Sequence, residues 1–334
     1  MKRKALALFS GGLDSILAVR IILDQGIAVE ALNFTSPFHT ETGKNAGFKS
    51  EAIRAAEELN IPIKVMYMGV EFLEIVRRPR HGYGKGINPC IDCRIYILRK
   101  AKEYMKESGA DFVVTGEVLG QRPMSQRRDT LRLIDRECGL SGLLLRPLSA
   151  KLFEPTMPEV EGWVDRERLK AIQGRSRKEQ MRLAEELNVK NYPGPAGGCL
   201  LTEVSFVSKV KDIFDHCGEL DLRDFQLLRL GRHFRINHGC KMIVGRDEPE
   251  NNLLEKEVRT GDTTVRWLDG AGPLGVLHGC VDDEGLEIAG KILLRYTKAE
   301  KGKECTVKTV IDGNERSLRI ANTFNERDIE EYRI

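Results

Sequence analysis

Residues 5–22 read "ALALFSGGLDSILAVRII" and decide the fold of the first half of the chain. The apolar run up to Phe9 predicts a strand, and the apolar residues after Asp14 predict a helix. The glycines between them let backbone N–H groups approach a bound oxygen closely, and the start of a helix adds positive potential. The stretch therefore predicts a phosphate-binding loop, with the hydroxyls of Ser10 and Ser15 as further donors.

Two common kinds of nucleotide loop are excluded. A Walker loop requires Gly-Lys-Ser or Gly-Lys-Thr, and neither tripeptide occurs in the chain. A dinucleotide fingerprint requires G-x-G-x-x-G between a strand and a helix. The one literal match, "GAGPLG" at 270–275, leads into a β-like segment instead.

The same strand–helix rhythm continues away from the loop. Strands separated by helices with short connections predict a Rossmann-like parallel sheet in an α/β domain, covered by helices on both faces. The predicted strands are 4–9, 28–35, 61–68, 111–116 and 142–149. The predicted helices are 14–25, 49–60, 90–109, 166–173 and 176–188.

The pattern changes near residue 232, where the segments become short and β-like with turn residues between them. They include 240–245, 263–268, 275–281, 288–297 and 304–311. We therefore predict two domains, a larger α/β domain over 1–205 and a smaller, mostly β domain over 206–334.

Composition limits the class of protein. Of the 334 residues, 41% are hydrophobic and 31% are charged, and the net charge is only +3, which is typical of a globular protein and argues against a polyanion coat. No apolar run approaches the ~20 residues that span a bilayer, so a cytoplasmic protein without a membrane segment is expected. Eight cysteines are too few for a disulfide scaffold.

The six residues "SGGLDS" at 10–15 resemble the PP-loop of the ATP pyrophosphatases, the adenine nucleotide alpha hydrolase type of fold. The resemblance implies that the loop holds the phosphates of ATP and that the protein adenylates its substrate. It implies that Asp14 helps to place Mg²⁺. By the same resemblance, the phosphates are held by Ser10, Gly11, Gly12 and Ser15.

Three cysteines suggest a second reactive site. Cys90 and Cys93 form a C-x-x-C pair, and Cys199 follows the Pro- and Gly-rich stretch 192–198. They can hold three irons of a 4Fe–4S cluster whose fourth iron is open to sulfide. Without a metal, one cysteine can instead carry a persulfide, and attack by another cysteine releases the sulfur as a disulfide forms. The cysteines can also bind a structural Zn²⁺. The spacing leaves all three alternatives open.

A second resemblance favours sulfur chemistry. The stretch "VVTGEVLGQRPMSQ" at 113–126 is similar to a Thr-Gly-Glu-x-Leu-Gly-Gln segment of tRNA 4-thiouridine synthetases, which borders their nucleotide site. The matching residues are Thr115, Gly116, Glu117, Leu119, Gly120 and Gln121, and we assign Thr115, Gly116 and Gln121 to nucleotide binding. Together with the three cysteines, which resemble those of cluster-dependent tRNA thiouridine synthases, the likeness spans about residues 4–202.

This likeness implies an ATP-dependent tRNA sulfurtransferase. Asp14, Cys90, Cys93 and Cys199 would be its catalytic residues. Its partners would be tRNA and a sulfur donor such as a cysteine desulfurase or sulfide. Two rival hypotheses are a PP-loop ligase that transfers nitrogen, for which the cysteines would be dispensable, and a non-catalytic RNA-binding protein with structural zinc.

RNA could bind at several places. The basic stretches 126–136 and 166–182 suit phosphate contacts, although solvated helix faces explain them too. Residues 240–258 resemble an RNA-binding module of ribosome quality-control proteins, and this resemblance implies Arg246 and Asn251 as candidate contact residues; an ordinary hairpin is the alternative. His-Gly-Cys recurs at 238–240 and 278–280; a Cys2His2 metal site is one interpretation, and buried cysteines with turn histidines are the simpler one.

Overall fold

The computed structural model describes residues 3–39, 50–194 and 198–334, and the chain divides into two compact units, Met1–Glu203 and Val204–Ile334. Of the Pro- and Gly-rich stretch 192–198, residues 195–197 lie outside the described part. Each unit is built around its own sheet.

The N-terminal unit contains a five-stranded parallel sheet in the order β3-β2-β1-β4-β5. The order changes direction between β1 and β4, and in open α/β sheets ligands bind outside the carboxyl ends of the strands at that point. The predicted Rossmann-like sheet is confirmed. The strands are β1 (Lys4–Leu8), β2 (Ala28–Thr35), β3 (Ile63–Tyr67), β4 (Phe112–Thr115) and β5 (Leu144–Leu145).

Helices cover this sheet because their apolar faces complete its core. Helix α1 is almost wholly buried, and it shares one core cluster with residues of α2, α7 and the central strands. Helix α4 begins at Cys90 and ends before Gly109, whose left-handed φ of +67° suits glycine. The helices are α1 (Leu13–Leu23), α2 (Glu51–Glu58), α3 (Val70–Arg77), α4 (Cys90–Ser108), α5 (Arg128–Glu137), α6 (Met157–Val160) and α7 (Lys178–Glu186).

The helix predicted over 166–173 is wrong. Only Arg166–Arg168 form a 3₁₀ turn, and Leu169 is extended. The backbone N–H of Ile172 donates to the carbonyl of Leu148 at 2.8 Å, so the segment runs beside the chain that follows β5. Tertiary hydrogen bonds therefore replace the helical ones that the apolar spacing suggested.

The C-terminal unit contains a six-stranded antiparallel sheet in the order β11-β10-β8-β9-β7-β6. The strands are β6 (Arg232–Asn237), β7 (Cys240–Val244), β8 (Thr263–Trp267), β9 (Gly275–Gly279), β10 (Glu304–Ile311) and β11 (Asn314–Ala321). The helices are α8 (Val204–His216), α9 (Leu222–Leu227), α10 (Glu248–Lys256), α11 (Asp283–Arg295) and α12 (Glu326–Glu330). A separate β domain is confirmed.

The β-like segment predicted over 288–297 is wrong, because it lies mainly in α11. The carboxylate of Asp282 caps this helix by accepting from the N–H of Gly285 at 2.8 Å. Ala289 and Leu293 then face the core of the sheet at helical spacing. Among the described residues no helix is both long and apolar enough to cross a membrane.

Candidate functional site

The glycine loop leaves β1 and enters α1 at the carboxyl end of the central strand. Gly11 has a φ of +73°, and a side chain there would meet the backbone of Glu51 and Ala52 at 2.7 Å. Gly12 is the residue before the first turn of α1, and no side chain caps that turn. The start of α2 therefore packs against the loop, and the first N–H groups of α1 are left for a ligand.

The two serines of the loop stand together. The hydroxyl of Ser15 donates to the carbonyl of Gly12 at 2.8 Å, and its oxygen lies 3.4 Å from that of Ser10. Both can turn toward a bound anion, because a hydroxyl has a donor and two acceptor positions. The structure thus brings together the loop residues that the resemblance assigned to phosphate binding.

Asp14 has one carboxylate oxygen in use and one without a partner. Its Oδ2 accepts from the Nε2 of Gln121 at 3.0 Å. Its Oδ1 is buried and has no hydrogen-bond partner in the described part of the chain. A buried carboxylate oxygen without a partner is costly, and a hard cation such as Mg²⁺ prefers oxygen ligands. The arrangement therefore fits a metal ion bound with ATP.

The segment after β4 packs directly on this loop. A side chain at Gly116 would meet the backbone of Asp14 and Ser15 at 2.6 Å, so only glycine allows this approach. The hydroxyl of Thr115, in contrast, donates to Glu117 Oε2 at 3.2 Å and is buried. Gly116 and Gln121 border the loop, whereas the side chain of Thr115 is engaged in the protein interior.

Glu117 is the centre of a buried ion-pair network that the sequence did not reveal. It accepts from Arg94 of α4 at 3.0 Å and from Arg146, just after β5, at 3.0 Å. Arg146 also binds both oxygens of Asp135 on α5. Burial opposes ionisation of Glu117, but the two guanidinium groups outweigh it and lower its pKa to about 2. The network joins α4, α5 and the central sheet beneath the loop.

Replacing Glu117 by Gln is expected to lower the free energy of unfolding of the N-terminal unit by about 3–5 kcal/mol, because Arg94 and Arg146 lose their shared counter-ion in a buried site. The pKa of Glu117 is depressed from 4.5 to about 2, so its contribution is present above pH 4.5 and is lost as pH falls toward 2. Urea unfolding between pH 7 and pH 3 measures both effects.

The control for this prediction is Glu167→Gln in the same unit. Glu167 is highly exposed and pairs with Lys151 at 2.9 Å, so its loss should change stability by less than about 1 kcal/mol. The predicted role of Glu117 would be contradicted by equal effects of the two substitutions. It would also be contradicted if the Glu117 variant lost as much stability as the wild type when the pH falls below 4.5.

The three cysteines lie in one neighbourhood. Cys90 and Cys93 occupy the first turn of α4. The backbone of Cys199 pairs with that of His39, after β2, in an isolated antiparallel β-bridge. Burial raises the pKa of Cys93 to about 12 and that of Cys199 to about 11. The neighbouring thiols of Cys199 and Cys90 also raise the pKa of Cys93, whereas Arg94 and Arg122 lower it.

These three thiols supply the donor chemistry of an iron–sulfur cluster or of zinc. Among the described residues, no group of three or more His, Cys, Asp or Glu side chains stands close enough to hold a single metal ion. A four-iron cluster places each ligand on a different iron, so its ligands stand farther apart than those of one ion. A single-ion zinc site therefore does not fit the described side chains, whereas a cluster is compatible in chemistry.

Asp92, between Cys90 and Cys93, anchors the loop in front of the cysteine pair. Its carboxylate accepts from the N–H of His81 at 2.9 Å and lies 2.9 Å from His81 Nδ1. The other ring nitrogen of His81 lies 3.2 Å from Glu137. No sequence pattern singles out Asp92 or His81, since a carboxylate inside a C-x-x-C pair resembles any exposed helix residue.

In the C-terminal unit, Arg246 and Asn251 are engaged in contacts of their own. Arg246 forms a bidentate pair with Glu250, and Asn251 Oδ1 accepts from the N–H of Leu274 at 3.0 Å. The predicted Asn-rich turn is part of α10. These residues brace the turn after β7, so the structure does not present either of them as a free RNA contact.

The two His-Gly-Cys segments do lie side by side, on the paired strands β7 and β9. Cys240 is buried in the core, and His278 Nδ1 lies 2.7 Å from Asp262. No described group in the region can hold a metal ion. The Cys2His2 interpretation is wrong in this structure, because Cys240 is packed into the core and His278 is hydrogen-bonded to Asp262.

Two family models match different parts of the chain. A family model described as "Thiamine biosynthesis protein (ThiI)" matches residues 1–151. A second, described as "NFACT protein RNA binding domain", matches residues 231–333. The first match includes the glycine loop, the cysteine pair and the Gly116 segment, and the second lies in the C-terminal unit.

Curated relatives match the first part of the chain. A tRNA-specific 2-thiouridylase from Sulfurimonas denitrificans is 31% identical over 36% of this chain. A probable tRNA sulfurtransferase from Ureaplasma urealyticum is 33% identical over 43% of this chain. The matched region is 36% of the length of each relative. A solved 4-thiouridine synthetase–RNA complex with bound ATP is 21% identical, covers 64% of this chain and 51% of its own, and has a TM-score of 0.36.

These matches confirm that the N-terminal part of the chain is a PP-loop domain similar to those of tRNA thiouridine synthases. The chain spans about a third of the length of the curated relatives that it matches.

Proposed function

We propose that the protein is an ATP-dependent tRNA sulfurtransferase that makes a thiouridine. The PP-loop domain shared with tRNA sulfurtransferases supports ATP as the activating substrate. The RNA-binding family match of the C-terminal unit supports an RNA acceptor. The loop residues Ser10 to Ser15, with Gly116 and Gln121 beside them, would hold the phosphates.

The reaction requires two displacements. A carbonyl oxygen of uridine attacks the α-phosphorus of ATP, and pyrophosphate leaves. A sulfur nucleophile then attacks the activated carbon, and AMP leaves with the former uridine oxygen. The N–H groups at the start of α1 and the unpaired Oδ1 of Asp14, through Mg²⁺, would stabilise the charge that develops on pyrophosphate.

Sulfur would be delivered at Cys90, Cys93 and Cys199. With sulfide as the sulfur source, the second displacement needs no reductant. With a persulfide on one cysteine, a second cysteine must break the S–S bond, and the resulting disulfide must be reduced afterwards. We propose that the three cysteines hold a 4Fe–4S cluster, whose open iron supplies a binding place for sulfide. Free sulfide would be the donor for the cluster route, and a cysteine desulfurase would be the donor for the persulfide route, in which a thiol reductant reduces the resulting disulfide.

The observation that carries the proposal is one short segment that links the two sites. Gln121 binds Asp14 of the nucleotide loop, and Met124 of the same segment packs on Gly84, whose N–H donates at 2.9 Å to the carbonyl of Asn88, just before the cysteine pair. Activation of a carbon and its attack by sulfur require both centres near one bound nucleotide. One short segment, residues 121–124, contacts both sites and provides that proximity.

The proposal predicts that one thiolated nucleoside disappears from tRNA when the gene is deleted and returns when the intact gene is supplied. Mass spectrometry of nucleosides from purified tRNA measures this directly. The same strain carrying the Cys280→Ser variant serves as a control, because Cys280 is an exposed cysteine of the C-terminal unit. An unchanged nucleoside profile in the deletion strain would rule out tRNA thiolation.

A further inference from the structure

Three loops meet at the carboxyl edge of the parallel sheet, around the nucleotide loop. The turn at Gly120 packs on Gly174, whose N–H donates to the carbonyl of Leu119 at 2.7 Å. Gly84 packs so closely on Met124 that an added side chain would approach its sulfur to 2.6 Å. Residues 82–86, 120–127 and 173–178 are therefore neighbours through direct contacts with the middle loop.

Each loop carries cations that no side chain of the described residues neutralises. The side chains of Lys85, Arg122 and Arg175 are exposed, and none makes a hydrogen bond or ion pair in the described part of the chain. Arg127, Arg177 and Lys178 also have no such partner. We call these six residues the cationic rim: Lys85, Arg122, Arg127, Arg175, Arg177 and Lys178.

The rim differs from three other cations of the predicted basic stretches. Arg166 pairs with Glu159, and Arg182 pairs with Glu186. Arg128 donates to the carbonyl of Leu152 and stacks on Phe153. These three side chains are already engaged. The rim cations of the same two stretches, which adjoin the Gly120 turn, have no such partner among the described residues. The structure thus indicates which cations of each predicted basic stretch are available for phosphate contacts near the Gly120 turn.

We propose that the cationic rim holds the sugar-phosphate backbone of the substrate RNA on either side of the nucleotide that enters the site. The inference rests on the proposed function and names the surface that the RNA occupies. Free Lys and Arg side chains on three separate loops suit contacts with successive phosphates, which position RNA without reading its sequence. Arg122 follows Gln121, which binds Asp14 of the nucleotide loop, and would contact the backbone next to the reacting base.

The test uses the full-length protein with unfractionated tRNA as the probe, and measures affinity by fluorescence anisotropy over a range of salt concentrations. Lys85→Ala/Arg175→Ala removes one Lys and one Arg of the rim. The negative slope of log affinity against log salt concentration should decrease in magnitude by about 2, which is about one for each lost phosphate contact. The affinity for ATP, measured by calorimetry, should stay unchanged.

The matched control is Lys106→Ala/Arg136→Ala, which also removes one Lys and one Arg. Both residues are exposed and without an ion pair in the described chain, and they lie in the last turns of α4 and α5. The control should keep the wild-type slope. Lys85→Glu/Arg175→Glu should weaken tRNA binding further than the alanine pair.

The outcomes separate the two levels of the proposal. If the wild-type protein neither binds nor thiolates tRNA, the proposed function fails. If the wild type does both and the rim and control pairs have equal slopes, the rim is not the RNA surface. A loss of ATP affinity in the rim pair with an unaltered tRNA slope would assign these cations to ATP instead, and would also overturn the inference.

Discussion

Asp14→Asn is expected to lower ATP-dependent turnover about a thousandfold, while the fold and the melting temperature stay close to those of the wild type. The substitution keeps the size of the side chain and a partner for Gln121, but it removes the charge at the unpaired Oδ1. Metal-assisted charge stabilisation is worth several kcal/mol, and each ~1.4 kcal/mol is a factor of ten in rate. Pyrophosphate release and ATP–pyrophosphate exchange in the presence of tRNA measure the loss.

Asp24→Asn is the control for a purely structural effect. Asp24 follows the same helix at its other end and pairs with Arg20 at 2.9 Å, far from the loop. It should leave turnover unchanged. Asp14 also lies in the first turn of α1, where a carboxylate favours the helix by a fraction of a kcal/mol. A variant with normal turnover and a lowered melting temperature would show that Asp14 serves the helix alone.

Most of the α/β domain was predictable because its signals are local. The apolar strands and the glycine loop lie within short windows, and 28–35 and 90–109 match β2 and α4 with its terminal glycine. The errors occur where tertiary contacts override the local pattern. Ile172 is not helical because it bonds to Leu148, and the apolar run 288–297 is mainly helical because α11 buries it against the sheet.

The candidate site was predictable as a set of residues and not as a set of contacts. The motif selected Asp14 and Gln121, but only the folded chain brings the carboxylate and the amide, 107 positions apart, to 3.0 Å. Thr115 was selected as well, yet its neighbour Glu117 holds it inward through a network with Arg94 and Arg146. A signal for that network was present in the Thr-Gly-Glu motif, where the glutamate had no assigned role.

Cysteine geometry illustrates the same limit. Spacing alone could not say whether Cys199 joins the C-x-x-C pair, because residues so far apart meet only through the fold. The structure joins them through the loops that follow β2 and precede α4: Leu200 donates to the carbonyl of Phe38 at 3.1 Å, and Ile87 donates to that of Leu201 at 3.0 Å. The nature of the sulfur carrier stays a proposal, and a substitution at Cys199 addresses it.

Cys199→Ser is expected to abolish formation of the thiolated nucleoside, with at least a hundredfold loss of rate, while ATP–pyrophosphate exchange with tRNA continues. Activation needs the glycine loop and Asp14, whereas sulfur transfer needs a nucleophile that serine cannot replace, since its hydroxyl neither binds iron well nor carries a persulfide. Anaerobically purified wild-type protein should contain iron and acid-labile sulfide, and the variant should lose most of both.

The matched control is Cys280→Ser, which should keep full activity and full iron content because Cys280 is an exposed cysteine of the C-terminal unit. The iron content separates the carriers that the three cysteines could support. A variant that is inactive although the wild type contains no iron would favour the persulfide route. A variant that still modifies its substrate at the wild-type rate would exclude Cys199 from sulfur transfer and would favour a PP-loop ligase that transfers nitrogen, because such a reaction needs no thiol beside the bound nucleotide.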